Sequence, residues 1–208
     1  MRTLMTRPCS SDSNEKIVGQ LKKSYWADYN ETKSETGGKT FAGTELFSGN
    51  QGGEVPALQA KSLAKTATVS LPDDFSGKTT LLLVGCRAFA QPQLDAFRGA
   101  FEKAASRTNA SRVQVIECWF VERLIFKWMS GLFEKSLLKQ MHDPTRRAQT
   151  CVVTDGVDEF MKAMHVTNTI IGHAFLVDGR GRIRWKANGM PTHDEIVALN
   201  EGLVVTPV

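Results

Sequence analysis

The stretch that decides the fold is TTLLLVG at residues 79–85, followed by QPQLDAFRGAFEKAA at residues 91–105 and RVQVIEC at residues 112–118. The first is a continuous apolar run bounded by turn residues, which is typical of a strand buried on both faces. The second has apolar residues at helical spacing, and Pro92 stands in its first turn, where a missing N–H costs nothing. The third alternates like a strand. This order of elements predicts a right-handed crossover and a parallel pair of strands.

The chain on both sides of this unit predicts further elements. In chain order these are a strand at 66–71, a long apolar helix at 119–141, a strand at 150–153, a helix at 157–164, strands at 173–178 and 182–187, and a helix at 193–203. The last two strands are joined through Gly179, Arg180 and Gly181 and predict an antiparallel hairpin. Thr192 is the predicted N-cap of the last helix, and Glu195 completes a capping box.

These elements predict an α/β domain with the thioredoxin arrangement, in which a central mixed sheet is flanked by helices. An inserted apolar helix is added to it. We expect this domain to occupy residues 55–208. Residues 1–54 form a largely irregular N-terminal extension, with a short helix predicted over 17–29 and a Gly-, Ser- and Thr-rich stretch at 30–54. The first residues carry two arginines and no acid before Asp12, a short version of a mitochondrial targeting segment.

Composition is that of a globular protein. Of 208 residues, 41% are hydrophobic and 23% are charged, and the net charge is +4. The positive surplus lies in residues 77–147, which hold twelve basic and six acidic side chains. It fits an acidic partner, anionic lipid or RNA phosphate, and equally a solvated helix face. No uncharged apolar run is long enough to predict a transmembrane helix.

The four cysteines are Cys9, Cys86, Cys118 and Cys151, and they are far apart in sequence. They form neither a CxxC redox pair nor paired zinc ligands. This usage fits a reducing compartment in which the thiols are mostly buried. We therefore expect no metal ion and no cofactor.

The loop after the first buried strand, CRAFAQP at residues 86–92, is where the thioredoxin arrangement carries its chemistry, at the N-terminus of a helix. The resolving position three residues after Cys86 holds Phe89, and Ala90 stands where copper-delivery relatives of the fold carry a second cysteine. Leu83 and Val84 replace the hydroxyl that a peroxidatic site needs. We therefore expect Cys86 to be structural and predict no catalytic residue.

The second signature of the redox fold, a proline just before the first strand of the hairpin, is also missing. The corresponding stretch is IGHAF at residues 171–175. His173 could suggest a metal ligand, but we expect it to be a strand residue with a satisfied ring.

The apolar stretch at 119–141 is the main candidate for binding. Its apolar side chains cover an arc of roughly 200°, about twice what one core-facing stripe requires. Charged residues interrupt it, so it is not a membrane span, but it could lie on a membrane or hold an apolar client helix. Alternatively, residues 30–54 fold over it. The candidate partner-binding residues are Trp119, Phe120, Leu124, Phe126, Trp128, Met129, Leu132 and Phe133, and the candidate basic surface is Arg123, Lys127, Lys135, Lys139, Arg146 and Arg147.

With these residues in place, the chain resembles the mitochondrial ATP synthase assembly factor family, thioredoxin-like proteins that assist the membrane-embedded proton-channel subunit a. The resemblance runs from about Leu58 to Leu203. Its most specific segments are the RAF-x4-LD-x-F pattern that begins at Arg87 and the LVD-x2-GRIRW hairpin that begins at Leu176. The resemblance implies a chaperone on the matrix side, peripheral to the inner membrane, with no catalytic residue. Before Val55 no family pattern is matched.

Three functions remain open from the sequence. The first is a chaperone for a hydrophobic membrane subunit, which works through the apolar helix and the basic surface near anionic lipid. The second is a structural or assembly component of a large mitochondrial complex such as the mitochondrial ribosome, where RNA contact would follow. The third is a redox enzyme with Cys86 as its sole nucleophile.

Overall fold

The computed structural model of the chain describes residues 27–33, 38–41, 43–65, 68–107, 112–121 and 130–206. Of the helix expected over 17–29, residues 27–29 lie in a helical segment that runs to residue 32, and residues 17–26 lie outside the described part. No helix in the described part is long and apolar enough to cross a membrane.

The domain is built from strands that alternate with helices. The strands are β1 (Leu58–Lys61), β2 (Thr68–Leu71), β3 (Thr79–Gly85), β4 (Val113–Phe120), β5 (Thr150–Val153), β6 (His173–Val177) and β7 (Ile183–Asn188). The helices are α1 (Gln91–Ala105), α2 (Ser130–Gln140), α3 (Pro144–Gln149), α4 (Val157–Ala163) and α5 (His193–Val205), with short 3₁₀ turns at Asp73–Phe75 and Ala88–Ala90.

Five strands form a mixed sheet in the order β5-β4-β3-β6-β7. Strands β3, β4 and β5 run parallel, while β6 runs antiparallel to β3 and to β7. Strands β1 and β2 form a separate antiparallel hairpin. The central mixed sheet with helices on both faces confirms the predicted fold class.

The sheet separates two apolar layers. On one face Leu83 packs with residues of α1, α2 and α5, and on the other face Leu82 packs with residues of α4 and of the β1–β2 hairpin. All of β3 is buried. A strand covered on both faces explains why TTLLLVG is apolar without alternation.

The predicted boundaries of β3, α1 and β5 agree with the structure residue for residue. The capping box of α5 also forms: the Glu195 amide donates to Thr192 Oγ1 at 3.3 Å, and the Thr192 amide donates to Glu195 Oε2 at 2.7 Å. The apolar helix expected over 119–141 is wrong at its start. Strand β4 continues through Phe120, and the helix described in this stretch, α2, begins at Ser130.

The segment before the domain lies along β7. The amide of Phe47 donates to the carbonyl of Arg184 at 2.7 Å, and the amide of Ile183 donates to the carbonyl of Gly53 at 2.9 Å. The indole of Trp185 donates to the carbonyl of Gly43 at 2.6 Å. This segment is therefore attached to the edge strand of the sheet, where its backbone groups find hydrogen-bond partners on β7.

Candidate functional site

Three loops meet at one end of the sheet. Strand β3 ends at Gly85, and because β6 is antiparallel to it, β6 begins at the same end with His173. Strand β7 is antiparallel to β6 and ends there with Asn188. Residues 86–93, 166–172 and 189–192 are therefore neighbours in space. Strand β4, parallel to β3, also ends at this end of the sheet.

Glycine backbone holds the three loops together. The amide of Gly172 donates to Gln93 Oε1 at 2.7 Å, and the carbonyl of Gly172 accepts from the amide of Gly189 at 2.9 Å. A Cβ on Gly172 would lie 2.6 Å from the side chain of Leu94 and 3.3 Å from the carbonyl of Ala90. The close approach of these loops therefore depends on the missing side chain.

The loop after β3 carries one thiol and one exposed aromatic side chain. Cys86 follows β3 directly and is buried, and Ala90 is fully buried. Phe89 lies between them in the 3₁₀ turn and is 58% exposed. The position where a second thiol would resolve a disulfide is thus occupied by an apolar ring that points to water.

A second exposed apolar side chain lies on the neighbouring loop. Met190 is 57% exposed and follows Gly189, which is bonded to Gly172, and Gly172 in turn touches Ala90 beside Phe89. Two large apolar side chains exposed on neighbouring loops at one end of the sheet form a candidate protein-binding surface. We call Phe89, Met190 and the loops that carry them the loop cluster.

His173 begins β6 beneath the loop cluster and is a neutral, buried side chain. Its Nε2 donates to the carbonyl of Asn168 at 2.8 Å, while Nδ1 has no hydrogen-bond partner among the described residues. Burial lowers the pKa of His173 to about 4. Its ring stacks on Phe175 and meets Phe41 edge-on. The expectation of a satisfied strand histidine thus holds for one ring nitrogen only.

The described residues contain no group of three or more His, Cys, Asp or Glu side chains that could hold a metal ion. A family model described as ATP10 protein matches residues 2–204 of the chain, so the expectation that no family pattern is matched before Val55 is wrong. The chain belongs to the ATP10 family, whose role is ATP synthase assembly. No curated protein sequence matches it.

Solved structures share the fold of this ATP10-family chain at low identity. One is a DsbF homologue from Corynebacterium diphtheriae, 13% identical, with a TM-score of 0.51 over 76% of this chain and 91% of that chain. Another is a putative thiol:disulfide interchange protein DsbE from Chlorobium tepidum, 18% identical, with a TM-score of 0.50 over 73% of this chain and 99% of that chain. These likenesses show a thioredoxin-like fold.

Two of the candidate partner-binding residues of this ATP10-family chain lie in the core. Trp119 and Phe120 end β4 and are fully buried. Trp119 packs edge-on against Phe133 at 5.9 Å between ring centroids, and Phe120 stacks on Phe160 at 4.9 Å. The prediction that they belong to an exposed helix is wrong, because a strand covered on both faces is as apolar as a wide helical arc.

The other candidates divide between described and undescribed residues. Leu132 is 60% exposed on α2, and Phe133 is half-buried on Trp119. Partner binding by Leu124, Phe126, Trp128 and Met129 stays a prediction, because these residues lie outside the described part, as do Arg123 and Lys127.

The predicted basic surface is only partly a surface. Lys135 and Lys139 are exposed on α2. The guanidinium of Arg147 instead donates to the carbonyls of Met141 (2.6 Å) and Leu138 (3.0 Å), so it caps the end of α2. Arg146 is likewise engaged inside the protein. The prediction of a free basic surface is therefore wrong for these two arginines.

Arg146 belongs to a buried ion cluster that sequence reasoning missed. Glu117 on β4 is fully buried and accepts from Arg98 at 3.1 Å, from Nε of Arg146 at 3.1 Å and from the indole of Trp119 at 2.7 Å. Arg146 also reaches Asp95 at 2.6 Å. Burial alone would lower the pKa of Arg146, but Glu117 and Asp95 outweigh it and raise that pKa. A charged residue inside an apolar strand was the available signal.

A pair of thiols was also missed. Cys118 and Cys151 are opposite each other on β4 and β5, with 3.4 Å between their sulfur atoms, and both are fully buried. The hydrogen bond to Cys151 and burial raise the pKa of Cys118 well above its ordinary value. Because only thiolates react readily, the raised pKa keeps the Cys118 thiol protonated and unreactive.

Proposed function

We propose that this chain is a non-enzymatic assembly factor of mitochondrial ATP synthase that holds an apolar segment of the membrane-embedded proton-channel subunit against the loop cluster. It would act on the matrix side, peripheral to the inner membrane. Membership of the ATP10 family supports the assembly role. The observation that carries the proposal is Phe89, an exposed aromatic ring at the position where a redox protein of this fold needs its second thiol.

Apolar contact is the recognition that the loop cluster offers. An aromatic side chain buries about 150–250 Å² when it is covered. At roughly 25 cal/mol per Å² this area favours binding of an apolar client segment. Met190 adds an unbranched, adaptable side chain that fits irregular surfaces. Such a surface suits a client that must be shielded from water without a fixed sequence being recognised.

Thiol chemistry is a weaker proposal for the same site. Disulfide exchange needs a second thiol to release the mixed disulfide, and the loop from Arg87 to Gln93 contains none. Cys118 and Cys151 both lie in the core, where the raised pKa of the Cys118 thiol opposes its attack on a disulfide. Cys86 is therefore better explained as a packed side chain.

The exposed face of α2 supports a peripheral membrane contact. Leu132, Lys135 and Lys139 lie at helical spacing and are all exposed. An apolar side chain beside two cations suits the surface of an anionic bilayer. Such a contact would place the loop cluster near a subunit as it inserts.

Two variants of the full chain, expressed in mitochondria that lack the endogenous protein, test the proposal. Cys86→Ser should leave the amount of assembled ATP synthase on native gels unchanged. Phe89→Asp combined with Met190→Asp should lower it at least fivefold, together with recovery of newly made channel subunit on the tagged chain. The matched control is Val204→Asp, an exposed apolar residue near the end of α5.

Three outcomes would contradict the proposal. One is loss of assembly in Cys86→Ser at normal protein level. Another is a normal amount of assembled ATP synthase in the Phe89/Met190 double variant. The third is comigration of most of the chain with a nuclease-sensitive megadalton particle, which would support the mitochondrial ribosome instead.

A further inference from the structure

The segment ahead of the domain is bonded to the loop that precedes β6. Asp28 is buried, and its Oδ2 accepts from the amide of Thr169 at 3.1 Å and from the hydroxyl of Thr169 at 2.9 Å. The side chain of Asn168, itself fully buried, donates to the carbonyl of Asp28 at 3.2 Å and to Glu31 Oε2 at 3.1 Å. Three of these four hydrogen bonds end on a carboxylate oxygen, and together they hold residues 168 and 169 in place.

The same loop continues directly into the loop cluster. Asn168 Oδ1 accepts from the amide of Ile170 at 3.0 Å, and the carbonyl of Asn168 accepts from His173 Nε2 at 2.8 Å. Gly172 lies between these bonds, and it is the residue that joins Gln93 to Gly189. Hydrogen bonds, joined by the short stretch of chain from Ile170 to His173, thus link Asp28 to Gly189 beside Met190 and to Gln93 in the loop that carries Phe89.

A second anchor lies beside the first. The amides of Thr40 and Phe41 donate to Asn188 Oδ1 at 3.1 and 3.3 Å, and Asn188 Nδ2 donates to Thr40 Oγ1 at 2.8 Å. Asn188 is opposite His173 on the neighbouring strand and is fully buried. Lys39 forms an ion pair with the buried Glu195 of the α5 capping box. Both sides of the loop cluster are thereby tied to the same upstream segment.

We propose that residues 27–33 and 38–41, the N-terminal clamp, position the loop cluster for binding, with Asp28 as the principal positioning residue. The clamp touches the loops from the side of Asn168 and Asn188, so it acts through them. Its effect on client binding rests on the proposed function, whereas its effect on the loops does not. Without the clamp, residues 166–172 lose the hydrogen bonds that fix Asn168. The positions of Phe89 and Met190 relative to each other are then no longer fixed.

Hydrogen exchange of the full-length chain tests the positioning step without any client. In Asp28→Ala the amides of Ile170, Gly172 and Gly189 should exchange at least tenfold faster, although none of them bonds to Asp28 itself. Asp28→Asn keeps an acceptor oxygen and should restore slow exchange. Asp158→Ala, which removes an exposed carboxylate from the first turn of α4, is the matched control and should leave these amides unchanged. Faster exchange confined to Thr169 would overturn the inference.

Recovery of newly made channel subunit on the tagged chain tests the binding step. Asp28→Ala should lower recovery at least threefold, and Asp28→Asn should restore it. If Asp28→Ala does not fold, Glu31→Ala, which removes one bond of Asn168 from an exposed residue, should give a smaller change in the same direction. Wild-type chain that recovers no subunit would contradict the proposed function alone, whereas equal recovery by wild type and Asp28→Ala would contradict the clamp.

Discussion

Residues 43–54 and helix α2 both lie outside the central sheet, yet they are attached to it in opposite ways. The first segment is held by hydrogen bonds to β7, through the backbone of Phe47 and Gly53 and the carbonyl of Gly43. Helix α2 and the residue that follows it are held by apolar packing, since Leu137 and Met141 are buried and join the cluster around Trp119.

The difference teaches that a polar, glycine-rich segment is as much part of this fold as an apolar helix. Its attachment needs close backbone approach, and a Cβ on Gly52 would lie 2.1 Å from the carbonyl oxygen of Ile183. A Cβ on Gly43 would lie 2.8 Å from the Cβ of Ala187 and 2.8 Å from the carbonyl oxygen of Lys186. Packing of α2 depends instead on the volume of the side chains beneath it. The two attachments should therefore respond to different substitutions.

The largest effect is expected where apolar packing holds α2. Trp119→Ala should lower the free energy of unfolding by about 3–5 kcal/mol, because it empties a fully buried site and removes a donor to Glu117. Denaturant unfolding followed by circular dichroism measures the change. Phe133 packs on this indole, so α2 should also become accessible to protease.

The control for this prediction is Phe89→Ala, an exposed aromatic residue whose removal should change stability by less than about 0.5 kcal/mol. Equal loss of stability in the two variants would contradict the contrast between buried and exposed rings. A Trp119→Ala variant as stable as wild type would contradict the packing of α2 on β4.

The second effect is expected at the backbone attachment. Gly52→Ala should cost about 1–3 kcal/mol, because the new methyl group displaces residues 47–53 from β7. Protease cleavage within residues 43–54 should become faster at the same time. Thermal unfolding and limited proteolysis measure both changes.

Gly99→Ala is the matched control. Gly99 lies in α1 with open space around its Cα, so alanine there should stabilise the helix by up to about 1 kcal/mol. If Gly52→Ala behaves like Gly99→Ala, the segment is not attached to β7 as described.

Sequence patterns were sufficient to predict those elements whose signals come from residues close together in the sequence. The apolar run of β3, the helical spacing of α1 and the capping box of α5 each depend on residues close in sequence, and each is found at its predicted place. The helix predicted from the wide apolar arc at 119–141 is wrong at its start, because a fully buried strand and an apolar helix have the same composition. Trp119 and Phe120 accordingly lie in β4.

Pairings across the sheet could not be predicted in the same way. The contact between Cys118 and Cys151 depends on the register of β4 and β5, which neither strand encodes alone. The loop cluster shows the same limit. The loop of Phe89 was identified by its missing cysteine, but the approach of Met190 depends on a glycine contact between distant segments. The clamp bonds of Asp28 are side-chain hydrogen bonds with no periodic signature.

A third effect is expected at His173, which lies in β6 outside both regions, and it depends on pH. The pKa of His173 is about 4 in the folded chain and about 6.5 when exposed, so the unfolded chain binds more protons between these values. Stability therefore falls as the pH falls through this window. Lowering the pH from 7 to 5 should therefore reduce the free energy of unfolding by about 2 kcal/mol through His173.

The measurement compares unfolding free energies at pH 7 and pH 5. His173→Gln should lose this part of the pH dependence, and His142→Gln, at an exposed histidine, should keep it. Phe41 covers the edge of the His173 ring, so Phe41→Ala should move the pKa of His173 upward toward its ordinary value in an NMR titration. A pKa of His173 near 6.5 in the wild-type chain would contradict its burial.

The smallest effect on stability is expected at Leu132, where binding should change instead. Leu132→Glu should alter the free energy of unfolding by less than about 0.5 kcal/mol, because the side chain is 60% exposed and lies away from the buried face of α2. It also places a negative charge beside Lys135 and Lys139, so cosedimentation with vesicles that contain anionic lipid should fall at least threefold. Val204→Glu, another exposed apolar position, is the control for an added charge. Equal losses in both variants would point to net charge alone, and unchanged cosedimentation in Leu132→Glu would remove the exposed face of α2 from the membrane contact.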